Sequence, residues 1–182
     1  MQDGGGSTDK DKGMAKIMKQ IAALSTLGVK AGITSDVGED KGKKRVRKTS
    51  KSGKKSKRKT IVENRDGPTI AQYAAWNEYG TKDGRIPARP FIRNWIDNNR
   101  EKIEKTQARL FKQVCEGKIS AEEAVAKLGQ FAQDGIKRYI ITGNFTPNAE
   151  STVQRKGSSR PLIDTGVMRN SIRYQVVGKD GE

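Results

Sequence analysis

The chain has 182 residues, of which 32% are hydrophobic and 32% charged, and its 37 Lys or Arg against 21 Asp or Glu give a formal net charge of +16. That length suits one domain with a proper core rather than two, and the low apolar fraction leaves part of it outside any packed interior. Histidine is absent and Cys115 is the single cysteine, which excludes an intramolecular disulfide, restricts a zinc site to carboxylates and denies thiol catalysis its imidazole base.

The charge is unevenly spread. Residues 41–60, KGKKRVRKTSKSGKKSKRKT, hold twelve Lys or Arg and no acid; without them 25 basic residues face 21 acidic ones, about +4. The chain therefore reads as a nearly balanced domain carrying a basic insertion. Its opening, MQDGGGSTDKDK, is polar and glycine-rich, unlike a secretory signal peptide. No apolar run approaches the length of a membrane span. The expectation is a soluble protein made in a reducing cytoplasm.

Met14, Ile17, Ile21 and Leu24 recur at helical spacing and predict a helix over 14–27 that stops at Gly28. Val29–Ile33, VKAGI, reads as a strand, and so does Thr60–Asn64, TIVEN. Between them the lysine-rich tract lacks the apolar surface needed to order itself, so 29–64 is expected to be two strands joined by a long polar arm. Thr69 and Gln72 make a capping-box pair after Pro68, opening a helix with Tyr73, Trp76 and Tyr79 that ends at Gly80.

Next comes RIPARPF, Arg85–Phe91. Each proline pushes the residue before it, Ile86 and Arg89, out of helical geometry, so the segment should run extended. Pro90 suits the first turn of the following helix. There Ile92, Ile96, Asn99, Ile103, Leu110 and Val114 form a stripe interrupted near Thr106. Ser120 and Glu123 form a second capping-box pair, and Ala124, Leu128, Phe131, Gly135 and Tyr139 form the stripe beneath it. Two long helices joined at Glu116–Ile119 predict an antiparallel hairpin. Thr146–Pro147 could open a further short helix, and Arg173–Val177 reads as a closing strand. The expected fold is α+β: a small antiparallel sheet, a long helix hairpin and a long basic arm between two strands. A single domain over 14–177, with insertion 41–60, would be flanked by flexible ends at 1–13 and 178–182.

Asp164-Thr165-Gly166, preceded by Leu162 and Ile163, has the letters of a retroviral-type aspartic protease nucleus. That chemistry needs two carboxylates sharing a proton inside an all-β barrel. Sixteen residues follow Gly166, too few for the flap and barrel strands, and the upstream chain is largely helical. The better expectation is Asp164 as the cap of a short helical turn carrying Met168 and Ile172. The basic tract suits nucleic-acid phosphates or an acidic protein surface equally well, since it has no interleaved aromatics and no recognition helix beside it. No phosphate-cradling glycine loop or paired carboxylate is evident, and nothing points to an enzyme.

Taken in order, VKAGI, NEYGT, IPARPFIR, the helix pair and PLIDTGVMRNSI followed by a strand resemble the neck or tail-completion proteins of tailed bacteriophages, a head–tail joining, virion morphogenesis family. The resemblance covers most of 28–177. The basic tract departs from it, being longer and more charged than the pattern.

The resemblance implies a non-enzymatic structural protein of the virion neck, assembled in the bacterial cytoplasm. It would form a six- or twelve-membered ring of its own copies joining the portal-bearing capsid to the tail. Implied partners are the portal or head–tail adaptor and the tail terminator or gateway proteins, with DNA in or near the channel, and no membrane, cofactor or metal. A preformed extended segment docks at low entropic cost, so Arg85, Ile86, Pro87, Arg89, Pro90, Phe91 and Arg93 are the expected subunit or partner interface. Arg85, Arg89 and Arg93 would pair with carboxylates across it. The expected basic arm, meeting an acidic partner or DNA, comprises Lys43, Lys44, Arg45, Arg47, Lys48, Lys54, Lys55, Lys57, Arg58 and Lys59. The alternative function is nucleic-acid binding through that arm.

Overall fold

The computed structural model describes residues 8–33 and 68–178. The basic tract and the strand expected at Thr60–Asn64 lie outside the described residues, as do the outer parts of both termini. What is described is α+β. In chain order the elements are α1 (Thr8–Leu24), β1 (Leu27–Gly32), α2 (Ile70–Tyr79), α3 (Phe91–Cys115), α4 (Ala121–Thr142), α5 (Glu150–Lys156), α6 (Val167–Asn170) and β2 (Arg173–Gly178). They fall into two compact units. One takes 8–32, 90–145 and 172–178; the other takes 33, 68–89 and 146–171.

The first unit is built on the expected hairpin. β1 and β2 pair antiparallel, with Gly28 opposite Val177, Val29 opposite Val176 and Ala31 opposite Tyr174. α4 lies across both strands and α1 packs on α3 and α4. Gly129 is where α4 comes closest to the sheet: a Cβ there would overlap the Tyr174 ring and stand 2.7 Å from Val29. Leu110, Val114 and Ala124 form a buried cluster, with Leu24, Ile119 and Leu128 packed against it. At the other end of the hairpin Trp95 meets Phe131 at a ring separation of 5.9 Å, and Gly135 lies so close beneath the Trp95 indole that a methyl group would fall inside it.

Several local expectations shift. α1 ends at Leu24 because the hydroxyls of Ser25 and Thr26 turn back onto the carbonyls of Ala22 and Ala23, which releases the chain into β1 before Gly28. Pro90 is the N-cap of α3, one place earlier than expected; its carbonyl still accepts the first helical bond, from Asn94 N–H at 3.2 Å. The stripe of α3 begins one residue earlier too. Phe91 and Trp95 are buried while Ile96 is 42% exposed: both pairs have i, i+4 spacing, and burying the aromatic pair removes more apolar area from water. Ser120 caps α4 by accepting from Glu123 N–H, but the carboxylate of Glu123 pairs with Lys127 at 2.7 Å and the reciprocal half of the box is not formed.

Candidate subunit-docking surface

The second unit contains most of the proline segment. Thr69 and Gln72 close the expected capping box at the start of α2, Gln72 N–H donating to Thr69 Oγ1 and Thr69 N–H to Gln72 Oε1. The helix buries Ile70, Ala74, Asn77 and Glu78. It leaves Tyr73, Trp76 and Tyr79 at 44%, 38% and 69% exposure. With about 100° of turn per residue, these rings wind from a flank beside Asn77 to a side about 160° away from it.

α2 ends at Gly80, whose φ of 77° disfavours any residue with a Cβ. Space demands glycine as well, because a Cβ would stand 3.1 Å from Ala88 N and 3.2 Å from Ile86 O. Thr81 N–H donates to Ile86 O, and Ile86 N–H donates back to Thr81 Oγ1, both at 3.0 Å. Asp83 sits in the loop so formed and accepts from Arg85 N–H at 3.2 Å. The Thr81 side chain, then the Arg85 N–H, holds the Asp83 carboxyl below its usual range. Asp83 also meets the Arg85 guanidinium at 3.1 Å.

Arg89 fastens the far end of the segment. Its N–H donates to Asn77 O at 2.6 Å. Nε donates to Thr146 O at 2.7 Å and Nη2 to Pro147 O at 2.9 Å, with longer contacts from Nη1 to Asn77 Oδ1 and from Nη2 to Asn148 Oδ1. Asn148 in turn donates to Arg160 O at 3.1 Å. Burial lowers the pKa of the Arg89 guanidinium, against a smaller opposing influence of Tyr73. The structure thus corrects two of the expected interface residues. Arg89 is 6% and Phe91 0% exposed, so the guanidinium is saturated by its own chain and the ring is turned inward. Arg85, with 87% of its side chain exposed, and the half-buried Ile86 and Pro87 remain at the surface, and Arg93 is exposed at the start of α3. Pro90 is half-buried. All ten expected arm residues, Lys43 to Lys59, lie outside the described residues.

The same clamp explains why no helix starts at Thr146–Pro147. Their carbonyls are engaged by Arg89, and α5 begins only at Glu150. Asp164 is not a cap either. Leu162 takes a left-handed φ of 59° and Gly166, the residue before α6, a φ of 79° with no side-chain cap. The chain therefore turns on its backbone and leaves Asp164 exposed, where its charge acts on the partly buried Lys156. Among the described residues no group of His, Cys, Asp or Glu is placed to hold a metal, and no helix is long and apolar enough to cross a membrane. Compared with models of known protein families, with characterised proteins and with solved structures, the chain matches none.

Proposed function

We propose that this chain is a non-enzymatic structural protein of a bacteriophage neck, assembling through protein–protein contacts into a ring between the portal-bearing capsid and the tail. One observation carries the reading: the proline segment is ordered in advance. It is closed on itself at Thr81–Ile86 and locked by Arg89 at its other end, so Arg85–Pro87 is presented with little conformational freedom left to lose. An extended, cation-bearing segment fixed in this way is suited to docking on another subunit. A heterologous contact repeated by a rotation that closes gives a ring.

The reading is tested by joining heads to tails. Filled heads and finished tails from a host lacking the chain should stay apart, and adding purified chain should join them into infectious particles. Unaided joining at the full rate would remove the proposal. So would joining only with a cleavage of some virion protein that Asp164→Asn abolishes, because the protease reading would then stand.

A further inference from the structure

We infer that the aromatic ridge of α2, Tyr73–Trp76–Tyr79, is the receptor on one copy of this chain for the Arg85–Pro87 segment of the next. The inference rests on the ring reading and supplies its contact. Both surfaces are on the page. The ridge exposes three rings at successive i, i+3 positions of a helix that carries no Lys or Arg, in a chain of net charge +16. The segment offers a guanidinium with most of its surface in water, followed by a proline in an extended backbone.

These are matching chemistries. Aromatic faces are electron-rich and attract a guanidinium laid over them. Extended proline segments dock in aromatic-lined surfaces with little entropy to lose. The one charge partner of Arg85 among the described ion pairs is Asp83, itself half-exposed. Such exposed pairs hold weakly, so the guanidinium can exchange it for rings at little cost.

Geometry makes the contact intermolecular. Arg89 N–H ties the segment to the Asn77 side of α2, whereas Trp76 lies about 100° and Tyr79 about 160° around the helix from Asn77. A segment fixed on one side of its own helix leaves the far rings to another copy. Donor and receptor are then different surfaces of the same unit. That is the condition for a head-to-tail contact, which propagates to a ring rather than stopping at a symmetric dimer.

The test mixes two variants of the full chain. Trp76→Ser destroys the receptor and keeps the segment; Arg85→Glu with Pro87→Gly destroys the segment and keeps the receptor. Each is checked for an unchanged circular dichroism spectrum and melting temperature, then followed by sedimentation velocity. Each alone should associate at least about tenfold more weakly than wild type, as loss of a central aromatic or arginine contact does. Mixed in equal amounts they should form a one-to-one pair and nothing larger, since each supplies the half the other lacks. In wild-type protein, association should shield Trp76 from acrylamide while Trp95, already 5% exposed, is unaffected.

Variants that assemble like wild type would overturn the inference while leaving the ring reading intact. Head-to-tail chains that form through this contact, in a protein that fails to join heads to tails, would do the reverse. Wild-type protein that stays monomeric with Trp76 open to quencher at every concentration would also overturn the inference, and so would variants that fail to pair when mixed. Should Trp76→Ser unfold the chain, Trp76→Arg, which keeps a long side chain and repels the incoming Arg85, gives the same reading.

Discussion

Arg89 is the residue on which the docking segment depends. A buried guanidinium with no carboxylate among its printed partners is unusual, and it is tolerated here because carbonyl and amide oxygens take its N–H groups. Arg89→Ala removes the donor and strands the carbonyls of Thr146 and Pro147, so urea unfolding should show a loss of about 2–4 kcal/mol. Arg89→Lys should recover only part of it, because an ammonium cannot reproduce a planar fork. Full recovery by lysine would mean that charge alone, and not the fork, holds the segment. None of this was readable beforehand. The partners of Arg89 are 57 to 59 residues away in sequence, and the RIPARP pattern describes an extended backbone without saying where its side chains go. Asp164 was misjudged as a cap for a related reason: a bulky Leu162 in left-handed geometry is a tertiary outcome, held by burial, that local propensity argues against.

At the scale of elements the sequence was far more legible, because caps and periodicity are local. Thr69 with Gln72, the stop at Gly80, the turn at 116–119 and the closing strand at 173 are all where short-range rules put them. What those rules missed is which of two adjacent i, i+4 pairs faces inward, as at Phe91–Trp95 against Ile92–Ile96. That choice is made by the facing helix, and Gly135 is its mark. In an isolated helix Gly135→Ala would add about 1 kcal/mol of stability. Here the methyl would enter the Trp95 indole, so we expect a net loss of about 1–3 kcal/mol in urea unfolding; a gain would mean the two helices are not in this register.

The turn of the hairpin carries a pH signature. Its Glu116 is held below the ordinary value of 4.5, first by the side-chain bond to Lys118 and then by the charges of Lys118 and Lys112. A carboxylate lowered on folding stabilises above its unfolded pKa, and that contribution is lost as pH falls through the folded one. Glu116→Gln should therefore flatten the fall of the urea midpoint below about pH 4.5 and change little at pH 7. An unaltered acid profile would show that the pair does not hold in solution.

For the whole molecule, the proposal joins a pre-ordered docking segment to a chain with twelve basic residues at 41–60. If that tract meets DNA or an acidic subunit, deleting 41–60 should weaken attachment to heads, and the deficit should grow as salt is lowered. Each lost phosphate contact would reduce the slope of log affinity against log salt by about 0.9. Equal attachment at every ionic strength would remove the tract from the mechanism. The central claim is more basic than this, namely that the chain closes into a ring at the joint between head and tail. Electron cryomicroscopy of particles assembled with and without the chain tests it most directly. The account predicts a closed ring of density at the joint, present only when the chain is supplied, with the Arg85–Pro87 segment of each copy on the α2 ridge of its neighbour. Particles that join normally without the chain, or that carry it anywhere but at that joint, would contradict it.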